Sequence, residues 1–136
     1  DLQYYAKSHN VKIRLESKGA NYIKADENHA RTIIQNIIEN AIRYSFPHST
    51  IKINFKKEKK YIIFSCTNNG IGIPENKKKF IFAKFFRASN AVNKEGQGTG
   101  LGLYIVKELI NLNRGDISFE SEENKKTTFY IKFLAN

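Results

Sequence analysis

Residues 28–45, NHARTIIQNIIENAIRYS, run without glycine or proline between Asp26 and the pair Phe46-Pro47. An aspartate caps a helix because its carboxylate accepts from the exposed first-turn amides, and proline disfavours the helical conformation of the residue before it. The segment therefore reads as one long helix over 28–45, capped by Asp26. At about 100° of rotation per residue, Asn36, Asn40 and Arg43 fall in one narrow arc. Ile34, Ile37, Ile38 and Ala41 spread over the wider remainder, as on a core-facing helix. Asparagine is a poor helix former, so two carboxamides beside an apolar face carry a stability cost that Gln or Glu would have avoided. Solvated amides and ligand-binding amides both remain open readings of this edge. An amide oxygen is a hard, neutral ligand suited to Mg²⁺ when phosphates supply most of the other positions.

Working outward from this helix, residues 11–16 (VKIRLE) alternate apolar and charged side chains, as a half-buried strand does, and residues 22–25 read as a second short extended piece. Downstream, residues 51–55 and 61–67 flank the charged turn KKEKK and read as a hairpin, closed by the glycine loop NNGIGIP (68–74). From 75 to 100 the chain is polar and glycine-bearing, and reads as a long mobile loop around the aromatic cluster KFIFAKFFRAS, which has room for one short helix. Residues 101–112 present a broad apolar face (Leu101, Leu103, Ile105, Val106, Leu109, Ile110, Leu112), a helix ended by Gly115. Strands over 116–121 and 127–134 follow. Strands neighbouring in sequence with two intervening helices predict an α+β layered domain and exclude a doubly wound parallel sheet.

Composition narrows the class further. A chain of 136 residues suffices for one domain. With 40% apolar and 26% charged residues, 2 prolines and 8 glycines, neither disorder nor a fibrous repeat fits. No apolar run approaches the ~20 residues of a membrane span, and the opening DLQYYAKSHN lacks the apolar centre of a secretory signal. The single cysteine, Cys66, excludes an internal disulfide framework and a zinc cluster, so a reducing, cytoplasmic setting is expected. The formal charge of +10 raises nucleic acid or an anionic membrane as partners. Yet lysine outnumbers arginine 18 to 5, isoleucine outnumbers leucine 18 to 7, and asparagine occurs 15 times, a joint skew that points to an AT-rich coding genome. Neither nucleic acid nor a membrane surface is therefore expected as a partner.

Three further stretches carry chemistry. In Asn68-Asn69-Gly70-Ile71-Gly72-Ile73-Pro74 the glycines permit positive φ and let a flat ligand approach the backbone, while a side-chain acceptor beside them can read an adenine amino group. A plain Asn-Gly turn is the alternative. In Gly96-Gln97-Gly98-Thr99-Gly100-Leu101-Gly102-Leu103 alternating glycines run into a helix start, where amides and helix dipole converge on an anion-sized spot. No Lys-Ser/Thr follows, so it is not a P-loop, and the spacing is not that of a dinucleotide fingerprint. Between these two sites lie Phe82, Phe85 and Phe86 with Lys84 and Arg87, an apolar anchor for a lid with cations able to meet a terminal phosphate, or else simply core aromatics.

In this order the segments NIIENAIRYS (36–45), NNGIGIP (68–74), FAKFFRAS (82–89) and GQGTGLGLYIVKELI (96–110) resemble the N, G1, F and G2 boxes of the ATP-binding catalytic domain of sensor histidine kinases, within the wider Bergerat-fold superfamily. The flanks from Asp26 to the tail RGDISFES are similar to that family as well, so the likeness covers nearly the whole chain. The resemblance implies a two-layer α/β sandwich with helices on one face of a mixed, mostly antiparallel sheet, and ATP held between the long helix and a lid. It implies Asn40 as the leading Mg²⁺ ligand with Asn36 beside it, Arg43 at the phosphates, Tyr44 near adenine, and Arg87 near the γ-phosphate. Asn40, Arg43 and Arg87 are thus the expected catalytic residues. Asn68, Gly70, Gly72, Ile73, Lys84, Gly98, Thr99, Gly100, Leu101, Gly102 and Leu103 complete the expected nucleotide site.

Two departures from the family pattern stand out. Asn68 occupies a position where the family usually has Asp accepting from the adenine amino group. An amide oxygen still accepts, at an expected cost of about 1 kcal/mol in ATP binding. Lys125-Lys126 replaces a usual glycine, a change expected to touch a turn and not the site. The family's phosphoacceptor histidine lies on a separate dimerising helical hairpin, and His9, His29 and His48 all read as exposed surface residues. The expectation is therefore a single catalytic domain over 1–136, with residues 1–8 as the end of a connecting helix. Its partners would be the histidine-bearing hairpin and a downstream response regulator. Two rivals are a Bergerat-fold ATPase, which needs a glutamate base on the long helix, and a nucleotide-sensing or anti-sigma-type binding module. Glu39 is the available glutamate, but it is turned about 100° from Asn40.

Overall fold

The computed structural model describes residues 2–19, 21–86 and 101–136. A short helix α1 (Leu2–Ser8) leads into strand β1 (Lys12–Leu15) and the long helix α2 (Glu27–Tyr44). Strands β2 (Thr50–Glu58) and β3 (Tyr61–Asn69) follow, then a 3₁₀ turn over Glu75–Phe80, helix α3 (Gly102–Leu112), and strands β4 (Asp116–Glu122) and β5 (Lys126–Leu134). The five strands form one sheet in the order β1-β2-β3-β5-β4. β1 lies parallel to β2, and all other neighbours are antiparallel. This is the mixed, mostly antiparallel sheet of an α+β fold.

Alternation along the strands decides which face is covered. Ile51 and Ile53 of β2, Ile62, Phe64 and Cys66 of β3, and Phe129, Ile131 and Phe133 of β5 all turn inward and are buried. From the helices, Ala30, Ile33, Ile37, Ile38, Ala41 and Ile42 of α2, Val106 and Ile110 of α3, and Ala6 of α1 meet all of these but Ile62 in a single core. Truncating one of the fully buried isoleucines to alanine costs about 2–5 kcal/mol through lost transfer energy and the cavity left behind. Ile105 and Leu112, which belong to the apolar pattern of α3, stand exposed, so that helix buries a narrower face than its composition suggests. Burial also raises the Cys66 thiol pKa to about 12, which leaves it inert at neutral pH.

Local chemistry sets the boundaries of these elements. Asp26 caps α2 by accepting from the His29 amide at 2.9 Å, as its position requires. The β2–β3 turn is tighter than the charged run KKEKK suggests: Glu58 pairs with Tyr61, and only Lys59, with φ of 58°, and Lys60 lie between them. Lysines and glutamate are poor strand formers, but tertiary pairing overrides propensity here. Residues 22–25 do not form a strand; they supply one isolated bridge, Ile23 to Ala135, beside the end of β5. At the end of α3 the left-handed residue is Arg114 (φ 59°), with Gly115 N–H bonded to the Ile110 carbonyl at 3.0 Å. Gly115 is required for another reason: a Cβ there would stand 2.4 Å from the Lys132 carbonyl oxygen.

Candidate functional site

The C-terminal end of α2 is tied to the end of β3 by backbone. Phe46 N–H donates to the Asn69 carbonyl (2.9 Å), and Ile71 N–H donates to the Tyr44 carbonyl (3.1 Å). Gly70 sits in this junction, where a Cβ would be 2.0 Å from the Tyr44 oxygen and 2.8 Å from Asn68 Nδ2. Any side chain at Gly70 would push the helix off the strand end. Gly72 has φ of 66°, and a Cβ on it would meet the Glu122 carbonyl oxygen at 2.3 Å. The NNGIGIP loop is thus held on both sides, by α2 and by the β4–β5 turn. Gly70 N–H donates to the Lys125 carbonyl (3.0 Å) and Asn124 N–H to that of Ile71 (2.7 Å). The expectation that the Lys125-Lys126 turn stays clear of the site is therefore corrected: its backbone buttresses the glycine loop.

Asn68 continues the inward-facing register of Phe64 and Cys66 and is buried. Its partner across the sheet is Thr127, also buried. The Thr127 hydroxyl shares a 2.7 Å hydrogen bond with Ser121 Oγ, which in turn accepts from Ile73 N–H at 2.9 Å. Thr127 and Ser121 are site-wall residues that sequence reasoning missed. A buried threonine in the inner alternation of a strand that is otherwise Phe and Ile was the available signal.

The amide edge of α2 takes shape at the other wall. Asn36 Nδ2 donates to the Thr32 carbonyl (2.8 Å), so its oxygen is turned away from its own helix. A Cβ on Gly102, the first residue of α3, would lie 3.4 Å from that oxygen. The helix carrying the asparagines and the start of the glycine-bearing helix are therefore adjacent. Asn40 is half-buried, with no hydrogen-bond partner for its amide among the described residues. No side chain caps α3 at Leu101, and Leu103 packs against the core. Two neutral amide oxygens on one helical edge fit a phosphate-bound Mg²⁺, which takes few protein ligands.

Arg43 lies between aromatic rings. Its guanidinium carbon is 6.0 Å from the Tyr44 ring centroid, and Tyr5 of α1 lies beside it. Burial opposes its charge, but interactions with the Tyr5 and Tyr44 phenols outweigh that penalty and raise its pKa. Arg43 Nε is buried without a partner, so one donor of this cation is uncommitted. Glu39 accepts from Gln35 on the exposed flank of α2.

Of the lid aromatics, Phe82 packs edge-on against Phe119 (6.0 Å) and Phe86 against Phe80 (6.1 Å), while Phe85 is 65% exposed with φ of 63°. Lys84 hangs over the Phe85 and Tyr104 rings, at 5.5 and 5.8 Å. Arg87, Gly98, Thr99 and Gly100 lie outside the described residues. His29 is not a plain surface residue. Its Nδ1 is 3.0 Å from Asn113 Nδ2, and Asn113 Oδ1 accepts from Asp26 N–H, so the pair ties the start of α2 to the end of α3. His9 packs on Tyr5 at 4.5 Å, and His48 alone is openly exposed.

A mixed sheet covered on one face, with amide-bearing and glycine-bearing helix segments brought together at one end, defines a nucleotide-binding ATPase-like domain. The chain belongs to the family described as histidine kinase-, DNA gyrase B-, and HSP90-like ATPase, whose model matches residues 25–136. It is 43% identical over 96 residues to the signal transduction histidine-protein kinase ArlS of Staphylococcus aureus, a match covering 71% of this chain and 21% of that protein. The chain thus spans about a fifth of the length of this curated relative. The catalytic domain of the histidine kinase ThkA superposes with a TM-score of 0.81 at 27% identity, covering 98% of this chain and 84% of that one. A mycobacterial sensor histidine kinase, MprB, superposes with a TM-score of 0.79 at 18% identity over 99% of this chain and 93% of that one, a likeness of fold. The ATP-binding class and the α+β fold both follow. Among the described residues no helix is long and apolar enough to cross a membrane.

Proposed function

We propose that this chain binds Mg·ATP and presents its γ-phosphoryl group to a histidine on a separate dimerising hairpin of the same full-length protein, with a response regulator downstream and the domain lying in the cytoplasm. The observation that carries this reading is the approach of Asn36 Oδ1 to Gly102, which unites the amide edge with the start of α3. Asn40 and Asn36 would hold the Mg²⁺, whose contribution is charge neutralisation at the phosphates. Arg43, on the same helical edge as Asn36 and Asn40, is proposed at the phosphates, and Arg87 and Lys84 are proposed as lid cations. Tyr44, Asn68, Gly70, Gly72 and Ile73 would line the base side. Gly98, Thr99, Gly100, Leu101, Gly102 and Leu103 would line the phosphate side. Phosphoryl transfer needs positioning and electrostatic support more than covalent help, and these residues are of that kind. An ATPase reading would need a base on α2, and Glu39 is engaged by Gln35 on the exposed flank.

The deciding experiment supplies γ-labelled ATP and a histidine-bearing hairpin domain in trans. Label on histidine that depends on Asn40 supports the proposal. Steady phosphate release with no labelled histidine contradicts it and favours the ATPase.

A further inference from the structure

Helices α2 and α3 pack side by side, and polar side chains meet the seam at each of its ends. At one end Asn36 Oδ1 faces the start of α3 at Gly102. At the other, His29 in the first turn of α2 meets Asn113, the residue that closes α3. Between them Ile33, Ile37, Val106 and Ile110 are fully buried. Apolar burial favours the association of two helices but is non-directional, so it leaves their sliding position weakly defined. Hydrogen bonds, which demand short distances and aligned donors, define it.

The Asn113 amide can take only one orientation. Its Oδ1 accepts from Asp26 N–H at 2.9 Å, and its Nδ2 donates to the Leu109 carbonyl at 2.7 Å. Turning the amide over would set oxygen against oxygen and N–H against N–H. The second Nδ2 hydrogen is left for His29 Nδ1, 3.0 Å away. Facing a donor, that nitrogen can only accept, which places the ring proton on Nε2. His29, Asn113 and the Asp26 backbone thus form a directional tie between the start of α2 and the end of α3, at the opposite end of the seam from Gly102.

We infer that His29 is a positioning residue for the nucleotide: by accepting from Asn113 it fixes the seat of α3 along α2, and with it where the start of α3 faces the amide edge. This rests on the nucleotide-binding reading above and adds to it a residue that touches no ligand yet sets the geometry of the site.

The test is calorimetric titration with Mg·ATP of the unaltered chain, His29→Ala, His29→Gln, Asn113→Ala and the double alanine variant, at a temperature where urea midpoints show all five folded. His29→Ala and Asn113→Ala should each weaken Mg·ATP by about 5-fold or more, the scale of coupling between separate sites. The double variant should bind no more weakly than the weaker single one, because both changes cut the same link. His29→Gln, whose amide oxygen can still accept from Asn113, should stay within about 2-fold of the unaltered chain. Heteronuclear NMR of the unaltered imidazole should find Nδ1 without a proton. Lower midpoints with unchanged Mg·ATP affinity in His29→Ala would make the residue merely structural and overturn the inference while leaving nucleotide binding intact. A Gln variant as weak as the alanine one, or a protonated Nδ1, overturns it equally. No binding by the unaltered chain overturns the nucleotide reading itself, and this inference with it.

Discussion

At Gly70 a Cβ would stand 2.0 Å from a backbone oxygen of α2, whereas at Gly102 the nearest atom outside its own helix and its chain neighbours is the Asn36 side-chain oxygen, at 3.4 Å. The first glycine lets two backbones touch. The second leaves room beside an amide. Both lie against the same helix, yet the junction of α2 with β3 is a steric lock, and the edge it shares with α3 has room for a Cβ. Residue type alone does not tell these apart.

The comparison can be broken most severely at the lock. Gly70→Ala should destabilise the fold by about 3 kcal/mol or more, because the nearest obstruction is the Tyr44 backbone, which cannot swing aside, and a denaturant midpoint will show it. A small change there would mean that α2 and β3 can separate freely. Asn113→Ala tests the far end of the edge shared by α2 and α3. Losing the links to Asp26 N–H and His29 should cost about 1–2 kcal/mol and speed amide exchange in the first turn of α2. Gly102→Ala should leave stability within about 0.5 kcal/mol while weakening nucleotide binding several-fold, the reverse of the Gly70 pattern. Equal effects at both glycines would erase the distinction.

The smallest expected effect is the pH dependence of the α2 cap. The His29 backbone amide holds the Asp26 carboxyl below its ordinary value of 3.8. A depressed carboxyl contributes stability above its unfolded pKa and loses that contribution as pH falls through the folded one. The advantage of the unaltered chain over Asp26→Asn should therefore be present at neutral pH and shrink once pH drops below 3.8, as urea midpoints will report.

Much of this architecture was legible because its signals are local. Asp26, the unbroken apolar helix and Pro47 bound α2, and alternation bounds the hairpins. What escaped depends on contacts distant in sequence. The parallel pairing of β1 with β2 joins segments on either side of α2, and no local pattern announces it. Strand propensity misplaced the lysine-rich end of β2, since pairing with β3 decides it. Gly115 looked like a helix terminator, although Arg114 takes the left-handed turn and Gly115 answers to Lys132 across the sheet. At the site, the asparagines and glycines were readable because their spacing is written on single elements. Thr127, Ser121 and the buttressing by Lys125 were not, because only the β3–β5 register brings them to Asn68.

The central claim is that the amide edge of α2 receives the metal-bound phosphates of a nucleotide. Calorimetric titration of ATP with and without Mg²⁺, in the unaltered chain and in Asn40→Ala, addresses it most directly. The account predicts Mg²⁺-enhanced binding in the unaltered chain and loss of most of that enhancement in Asn40→Ala, with metal-free binding retained. Equal Mg²⁺ enhancement in both proteins would contradict it.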